Sequence, residues 1–314
     1  MNENLLEFDA RDPLHIDAVA ELWNGATPAE LAISSRFVRY NVSPVQGRPL
    51  AGRMAMRNGE AIGVVFVSAI TGELTGSVEL LVVHPAWQRQ GIGHRLLNWA
   101  EAWLAQQRCT QIQLGAGIKP FAPGLPSTLN AVTYFQHRGY GDVRMVWDVA
   151  ANLAHYTTPE TVREIPGAVR PAQPGDEAAL AAFLAREFPG RWRLRFQEFC
   201  RLPDYRLSDY MVLWTERGID GFCCLTFEDS QPPIERYYPY TLPRPWGQLG
   251  PIGVSANARG RGYGAALMDA GLRRLHNNGI NGCVIDWTTL LEFYGKFGFQ
   301  PYREYVQLAK QLSP

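Results

Sequence analysis

Gln88-Arg89-Gln90-Gly91-Ile92-Gly93 and Arg259-Gly260-Arg261-Gly262-Tyr263-Gly264 carry one message twice. Each stretch begins with Gln or Arg, passes two spacers to a glycine, and reaches another glycine one residue later. An apolar, valine-bearing run precedes each, at residues 79–83 and 249–254. A Leu/Ala-rich segment follows each. A strand that feeds a glycine turn into a helix start is an anion cradle. The glycines let backbone N–H groups approach a phosphate, and the helix dipole adds positive potential. Recurrence in matching contexts predicts a duplicated site and a duplicated domain.

Outward from the first turn, the pattern predicts a strand at 5–8 and a helix from Asp12-Pro13 to about 23. Asp caps and Pro suits the first turn. A helix at 28–37 follows, then strands 51–57 and 61–70 joined through Asn58-Gly59, a strong hairpin signal. Beyond the turn, residues 92–106 read as a helix with Leu96, Leu97, Ala100 and Leu104 on one stripe. A short strand (112–114), a Gly/Pro-rich loop (115–126), a helix (128–137) and a strand (143–149) complete the half. The second half repeats the order: strand 168–170, helices 177–187 and 195–201, strands 209–215 and 220–227, strand 248–254, helix 263–277, strand 282–286, helix 288–296 and strand 302–308. We assign an N-terminal domain to residues 1–152, a linker to 153–166 and a C-terminal domain to 167–314.

Composition agrees with a soluble two-domain protein. The 314 residues suit two domains of about 150 each. Apolar content is 46%, charged content 19% and net charge zero. That balance argues against a bulk electrostatic grip on nucleic acid or acidic membrane. No apolar run approaches the ~20 residues of a membrane span, and the acidic start is no signal peptide. Five cysteines without a C-x-x-C pair read as reduced thiols of a cytoplasmic protein. The six histidines show no ligand spacing, so no metal is expected.

The order of elements and the (Q/R)-x-x-G-x-G turns resemble the GNAT N-acetyltransferase family, in tandem over nearly the whole chain. The resemblance implies an α/β (α+β) fold: two domains, each a mixed, mostly antiparallel sheet flanked by helices. It implies acetyl-CoA as co-substrate, its pyrophosphate held by backbone amides of the turns. The cofactor-binding residues are then Val83, Gln88, Arg89, Gln90, Gly91, Ile92 and Gly93 in the first half. In the second they are Val254, Arg259, Gly260, Arg261, Gly262, Tyr263 and Gly264. The family's late motif, an aromatic followed by Gly and another aromatic, is met by Tyr294…Gly298-Phe299 and by Phe135…Gly139-Tyr140. The resemblance implies Tyr294 as the acid that protonates departing CoA. Phe135 has no hydroxyl, and Tyr134 beside it is expected to point elsewhere. The first half is therefore expected to be impaired.

The general base stays open. A Glu on the motif-bearing strand serves in many members; Glu79 matches in the first half, and residues 250–253 offer no acid. Asp286, ending the next strand, is the substitute, with a helix cap before Thr288 as its rival reading. Glu292 reads as solvated, and His84-Pro85 as a turn opener. Gly260-x-Gly262-x-x-Ala265 with Asp286 also fits a dinucleotide fingerprint. Against that, Gln90 replaces the leading glycine in the first copy, and neither turn sits at a first βα unit. Arg191-Trp192-Arg193-Leu194-Arg195 reads as a local anion or helix-surface feature.

The stretch around Trp287 resembles tandem glucosaminide N-acetyltransferases, implying a small amine such as an amino sugar as acceptor. Trp287 and Glu79 are the substrate-binding candidates. Trp192, Trp214, Tyr237, Tyr238, Tyr240 and Trp246 add flat faces that suit sugars or a core equally. A peptide or protein amine and a non-catalytic acyl-CoA sensor are the alternatives. A monomer or homodimer is expected.

Overall fold

Asp12 opens the first helix as its sequence position demands: its carboxylate accepts the Leu14 N–H at 2.9 Å, and Pro13 fills the first turn. The structure, a computed structural model, describes residues 5–232 and 241–312. Tyr237, Tyr238 and Tyr240 lie outside the described residues. The elements run β1 (Leu5–Glu7), α1 (Pro13–Ala26), α2 (Ser35–Val42), β2 (Leu50–Arg57), β3 (Glu60–Ala69), β4 (Thr75–Val83), α3 (Ile92–Gln106), β5 (Gln111–Leu114), β6 (Leu125–Pro126), α4 (Val132–Gln136) and β7 (Gly141–Asn152). They continue with β8 (Ala168–Pro171), α5 (Glu177–Glu187), α6 (Arg191–Phe199), β9 (Tyr210–Thr215), β10 (Gly218–Phe227), β11 (Trp246–Val254), α7 (Tyr263–Asn277), β12 (Gly282–Thr288), α8 (Leu291–Gly295) and β13 (Gln300–Gln311).

Two compact units result. Among the described residues, the first holds 5–146 and 304–312, and the second 147–232 and 241–303. The first unit's strands lie in the order β1-β2-β3-β4-β5-β13, the second's in the order β7-β12-β11-β10-β9-β8. Closing strands are thus exchanged. Ala309–Gln311 of β13 run antiparallel to β5, while the end of β7 runs antiparallel to β12. Residues 153–166, read as a linker, lie on the second unit. Leu153 is buried, Tyr156 donates its hydroxyl hydrogen to Asp269 at 2.9 Å, and Val162 and Ile165 pack on the same core.

Helices pack on each sheet: α1 and α2 bury Ile16, Leu22, Phe37 and Val38 in the first unit, α5 and α6 bury Leu180, Phe183, Leu184 and Phe196 in the second, and one long helix completes each. α3 buries Ile92, Leu96, Leu97, Ala100 and Leu104; α7 buries Leu267, Met268, Leu272 and Leu275. Each of the Ile, Leu and Met side chains contributes roughly 1.5–3 kcal/mol by leaving water.

Three predicted helices are redrawn. The segment 28–37 is a 3₁₀ turn at Ala29–Leu31 followed by α2, which Ser34 caps through the Phe37 N–H at 3.1 Å. The segment 128–137 is broken at Asn130, whose φ of +48° interrupts it before α4. α6 starts at Arg191 and not at 195, bringing the basic stretch into the helix.

The site is made by strands that part. β4 and β5 are parallel partners only over Thr75–Val78 and Gln111–Leu114. β11 and β12 pair only over Trp246–Gln248 and Gly282–Val284. A bulge lies just beyond each pairing. Glu79 is the extra residue between Val78 and Leu80, and Gly250-Pro251 lie between Leu249 and Ile252 where the β10 register shifts. Bulges bend and twist a strand, and here each gap opens just before a glycine turn.

Candidate active site

Gly91 and Gly262 cap α3 and α7 with the same φ of +82°. Two residues earlier, Arg89 and Gly260 also have positive φ, at +61° and +75°. Alternating left-handed positions curl successive N–H groups toward one point, which is how backbone binds an anion. Glycine enters that conformation without Cβ strain. A Cβ on Gly260 meets nothing within 4 Å, so the space over the turn is open. Helices of 15 residues behind both turns aim their positive ends there.

Gln88, Arg89, Gln90, Arg259 and Arg261 are exposed around these turns. The Gln88 amide donates to the Val83 carbonyl at 3.0 Å and ties the first turn to β4. Ile92 and Tyr263 are buried, and the Tyr263 hydroxyl donates to the Pro166 carbonyl at 3.3 Å. These two offer backbone only. Gly93 and Gly264 lie in the first helical turns. A Cβ there would stand 3.5 Å from the Tyr134 hydroxyl and 3.9 Å from the Phe293 ring, respectively. Tyr134 therefore reaches over its helix start, the place Phe293 takes in the second unit, while Phe135 and not Tyr134 lines the gap as Tyr294 does.

The gaps present backbone donors. Ser255 donates its N–H to the Asp220 carbonyl at 2.8 Å. Antiparallel alternation then turns the N–H groups of Val254 and Ile252 away from β10, toward the gap. In the first unit, His84 donates to Ile62 at 2.9 Å, which leaves the Val83 N–H on the gap side. Two carboxylates brace the second turn. Asp220 accepts from Thr215 at 2.6 Å and Ser255 at 2.9 Å, and Glu187 accepts the Ala256 N–H at 3.0 Å.

In the second unit the gap is a cavity of about 210 Å³. Gly250, Pro251 and Ile252 of β11, Ile285 to Thr288 of β12, Tyr294 of α8, and Arg191, Trp192 and Arg195 of α6 line it. Tyr294, Asp286 and Trp287 thus share one chamber. An Asp286 carboxylate oxygen stands 3.2 Å from where a Gly250 Cβ would be, so the glycine makes room for it. Asp286 lies inside β12, and α8 begins only at Leu291. Thr288, whose hydroxyl accepts the Leu290 N–H at 2.8 Å, closes the turn before α8, whose start carries no side-chain cap from Asp286 or any other described residue. Tyr294 is 5% exposed. Burial pushes its phenol well above the ordinary tyrosine range and the Asp286 charge adds to this, outweighing a Thr288 hydrogen bond. At neutral pH the phenol keeps its proton.

Trp287 is held in an unusual backbone state. Its φ is +60°, the β12 register shifts between Ile285 and Thr288, and its N–H donates to Asp148 at 3.0 Å. The Arg191 guanidinium stacks 3.9 Å from the Trp287 ring centre. Asp148, fully buried on β7, escaped the sequence reading because it acts 139 positions away. Removing its carboxylate leaves a buried N–H without its acceptor, at a cost of roughly 1–3 kcal/mol. Asp148→Ala should therefore lower the unfolding midpoint and raise the acceptor KM, whereas Asp148→Asn, which keeps a carbonyl acceptor, should recover most of both. Thermal melts with steady-state kinetics on the two variants check this.

The first unit's gap is nearly filled, at about 60 Å³. Phe121, Ala122 and Gly124 of the 115–126 loop line it beside Glu79 and Phe135. Glu79 is 4% exposed and accepts the Ser68 hydroxyl hydrogen, and Gly117 packs against it too closely to admit a Cβ. The loop buries this carboxylate. Among the described residues, no cluster of His, Cys, Asp and Glu is arranged to hold a metal, and no helix is long and apolar enough to cross a membrane.

A family model described as "Acetyltransferase (GNAT) family" matches residues 16–119 and 178–299, one glycine turn in each stretch. The chain belongs to the GNAT acetyltransferase family. Membership replaces the dinucleotide reading of Gly260 and Asp286. Among relatives, a mycothiol acetyltransferase of Nocardia farcinica is 28% identical over 304 residues, covering 91% of this chain and 90% of the relative. A mycothiol acetyltransferase of Sanguibacter keddieii is 30% identical over 253 residues, covering 75% and 74%. Among solved structures, the GCN5-related glucosamine N-acetyltransferase region of a fungal multi-domain GH3 β-N-acetylglucosaminidase superposes with a TM-score of 0.83 at 21% identity, over 98% of this chain and 38% of that longer one. A tandem GNAT protein from the clavulanic acid biosynthesis pathway gives 0.68 at 14% identity, over 100% and 99%. These two share the fold with this chain.

Proposed function

We propose that the second GNAT unit moves the acetyl group of acetyl-CoA to the primary amine of an amino sugar or glucosaminide, and that the first unit is catalytically impaired. The observation that carries this is the single chamber holding a protonated buried phenol, a carboxylate and gap-facing amides at the end of a glycine turn. The turn from Arg259 to Gly264 fits a diphosphate: its left-handed positions, open space and helix start all favour an anion. Arg259 and Arg261 add charge-assisted contacts. The Ile252 and Val254 amides, turned toward the gap, donate to the thioester oxygen as it gains charge.

The amine nitrogen attacks the acetyl carbon directly. A C–N bond forms as the C–S bond breaks. Asp286, directly or through a water, takes the proton the amine gives up, and Tyr294 gives its own to the sulfur. An amino-sugar amine is less basic than an alkylamine, so a base of this kind suffices. The relatives named for mycothiol acetylation and the fold neighbour named for glucosamine acetylation support a small-molecule acceptor. The buried Glu79 and Phe135 favour a second role for the first unit, as a coenzyme-binding partner that turns nothing over.

Release of free thiol from acetyl-CoA across glucosamine, glucosaminides, polyamines and peptides tests the reading. Turnover is expected with amino-sugar amines. Binding of acetyl-CoA without thiol release from any amine would show a sensor instead.

A further inference from the structure

We infer that the acceptor carries an anionic group, a carboxylate or a phosphate, in addition to its amine, and that Arg195 with Arg191 receives it. The inference rests on the acetyltransferase reading of the same cavity and adds the acceptor's charge pattern.

The cavity is charged the wrong way for a simple cationic amine. Among the described residues, Arg191 and Arg195 line it, against one carboxylate, Asp286. The two arginines are four residues apart on α6 and so lie on one helix face. Three other arginines of this region meet carboxylates, Arg186 with Glu187 at 3.0 Å, Arg201 with Glu198 at 3.6 Å and Arg217 with Asp220 at 2.9 Å, and Arg193 on the same helix is exposed to solvent. Arg195 is half-buried and, among the described residues, makes no ion pair. A partly desolvated guanidinium is costly unless an anion meets it. Arg191 is fixed over the Trp287 ring at 3.9 Å, which sets the plane of its fork. Guanidinium forks grip carboxylates and phosphates through paired N–H bonds.

The same arrangement helps the chemistry. An amine between two guanidinium groups loses its proton more readily, because nearby positive charge disfavours the ammonium form. Asp286 then faces the amine end while the arginines hold the anionic end. The two halves of the cavity thus ask for a zwitterionic acceptor.

The experiment compares kcat/KM by free-thiol release for glucosamine, glucosamine 6-phosphate and muramic acid, the last an amino sugar with a carboxylate. At least one anionic arm is expected to exceed glucosamine by about tenfold or more, roughly one decade of binding free energy. The advantage should shrink as salt rises. The arm that wins tells phosphate from carboxylate. Arg195→Ala should collapse the ratio toward unity through KM, and Arg195→Lys should restore part of it. The wild-type ratio needs no variant, so a misfolded substitution leaves the test intact. Turnover of glucosamine at or above both anionic arms overturns this inference and leaves the acetyltransferase reading standing. No thiol release from any amine overturns both.

Discussion

Tyr294→Phe should lower kcat by about 10²- to 10⁴-fold, the usual worth of a positioned acid. The variant keeps the ring and loses only the hydroxyl. That ring packs 5.1 Å from Phe293 and 6.4 Å from Phe299, centre to centre, so the core and the α8 position should survive. The KM for acetyl-CoA should change much less than kcat, because the turn from Arg259 to Gly264 is untouched. Free-thiol release at saturating acetyl-CoA is the measurement, and a fall of under about threefold would remove Tyr294 from the proton path. The pH dependence follows from the same surroundings. Burial and the Asp286 charge raise the phenol above its ordinary value of 10.0. The proton-bearing form therefore persists past the pH at which an ordinary tyrosine ionises, and phenol loss should not limit the rate near pH 10. The folded state holds this proton more tightly than the unfolded one. Its contribution to stability is complete below pH 10 and is lost as pH rises through the raised value.

Gly262→Val should weaken acetyl-CoA binding by roughly 100-fold, equivalent to about 2.7 kcal/mol. Two effects combine. At φ +82° a β-branched residue is strained, by about 1–2 kcal/mol or more. Its branched side chain would also crowd the turn that we propose holds the diphosphate. Gly91→Val makes the same change in the first unit, where φ is also +82°. The glycine equivalence makes the pair a matched experiment: isothermal titration reads each site's affinity, and thiol release reads which site feeds the chemistry. Turnover should fall at least tenfold further in the second-unit variant than in the first. The opposite order would move the catalytic assignment to the unit containing Glu79.

The glycine turns were legible because a left-handed backbone leaves a residue-type signature. Gly91, Gly260 and Gly262 announce their φ in the sequence, although Arg89 takes a positive φ with no such sign. Tyr294 and Asp286 were legible from their places after the second turn, and the cavity holds both. Asp148 was not, and Arg191 and Arg195 were legible only as part of a local anion or helix-surface feature. Asp148 reaches the site only because β7 pairs with β12, and alternation within a strand says which face is buried, never which strand lies alongside. The basic stretch left an anion role and a helix-surface role both open; only packing shows that Arg191, Trp192 and Arg195 face the chamber. Glu79 failed in the other direction. Its position on β4 is right for a base, but the 115–126 loop carries no regular pattern by which its descent onto that carboxylate could be read.

The exchange of β7 and β13 explains why an impaired half would persist. Stopping translation after residue 152 would deprive β5 of its Ala309–Gln311 neighbour, and starting at 153 would strip β12 of the strand bearing Asp148. A deletion that discards either copy therefore takes a closing strand from the copy that remains. If the first unit has lost its chemistry as we propose, the chain still needs its fold.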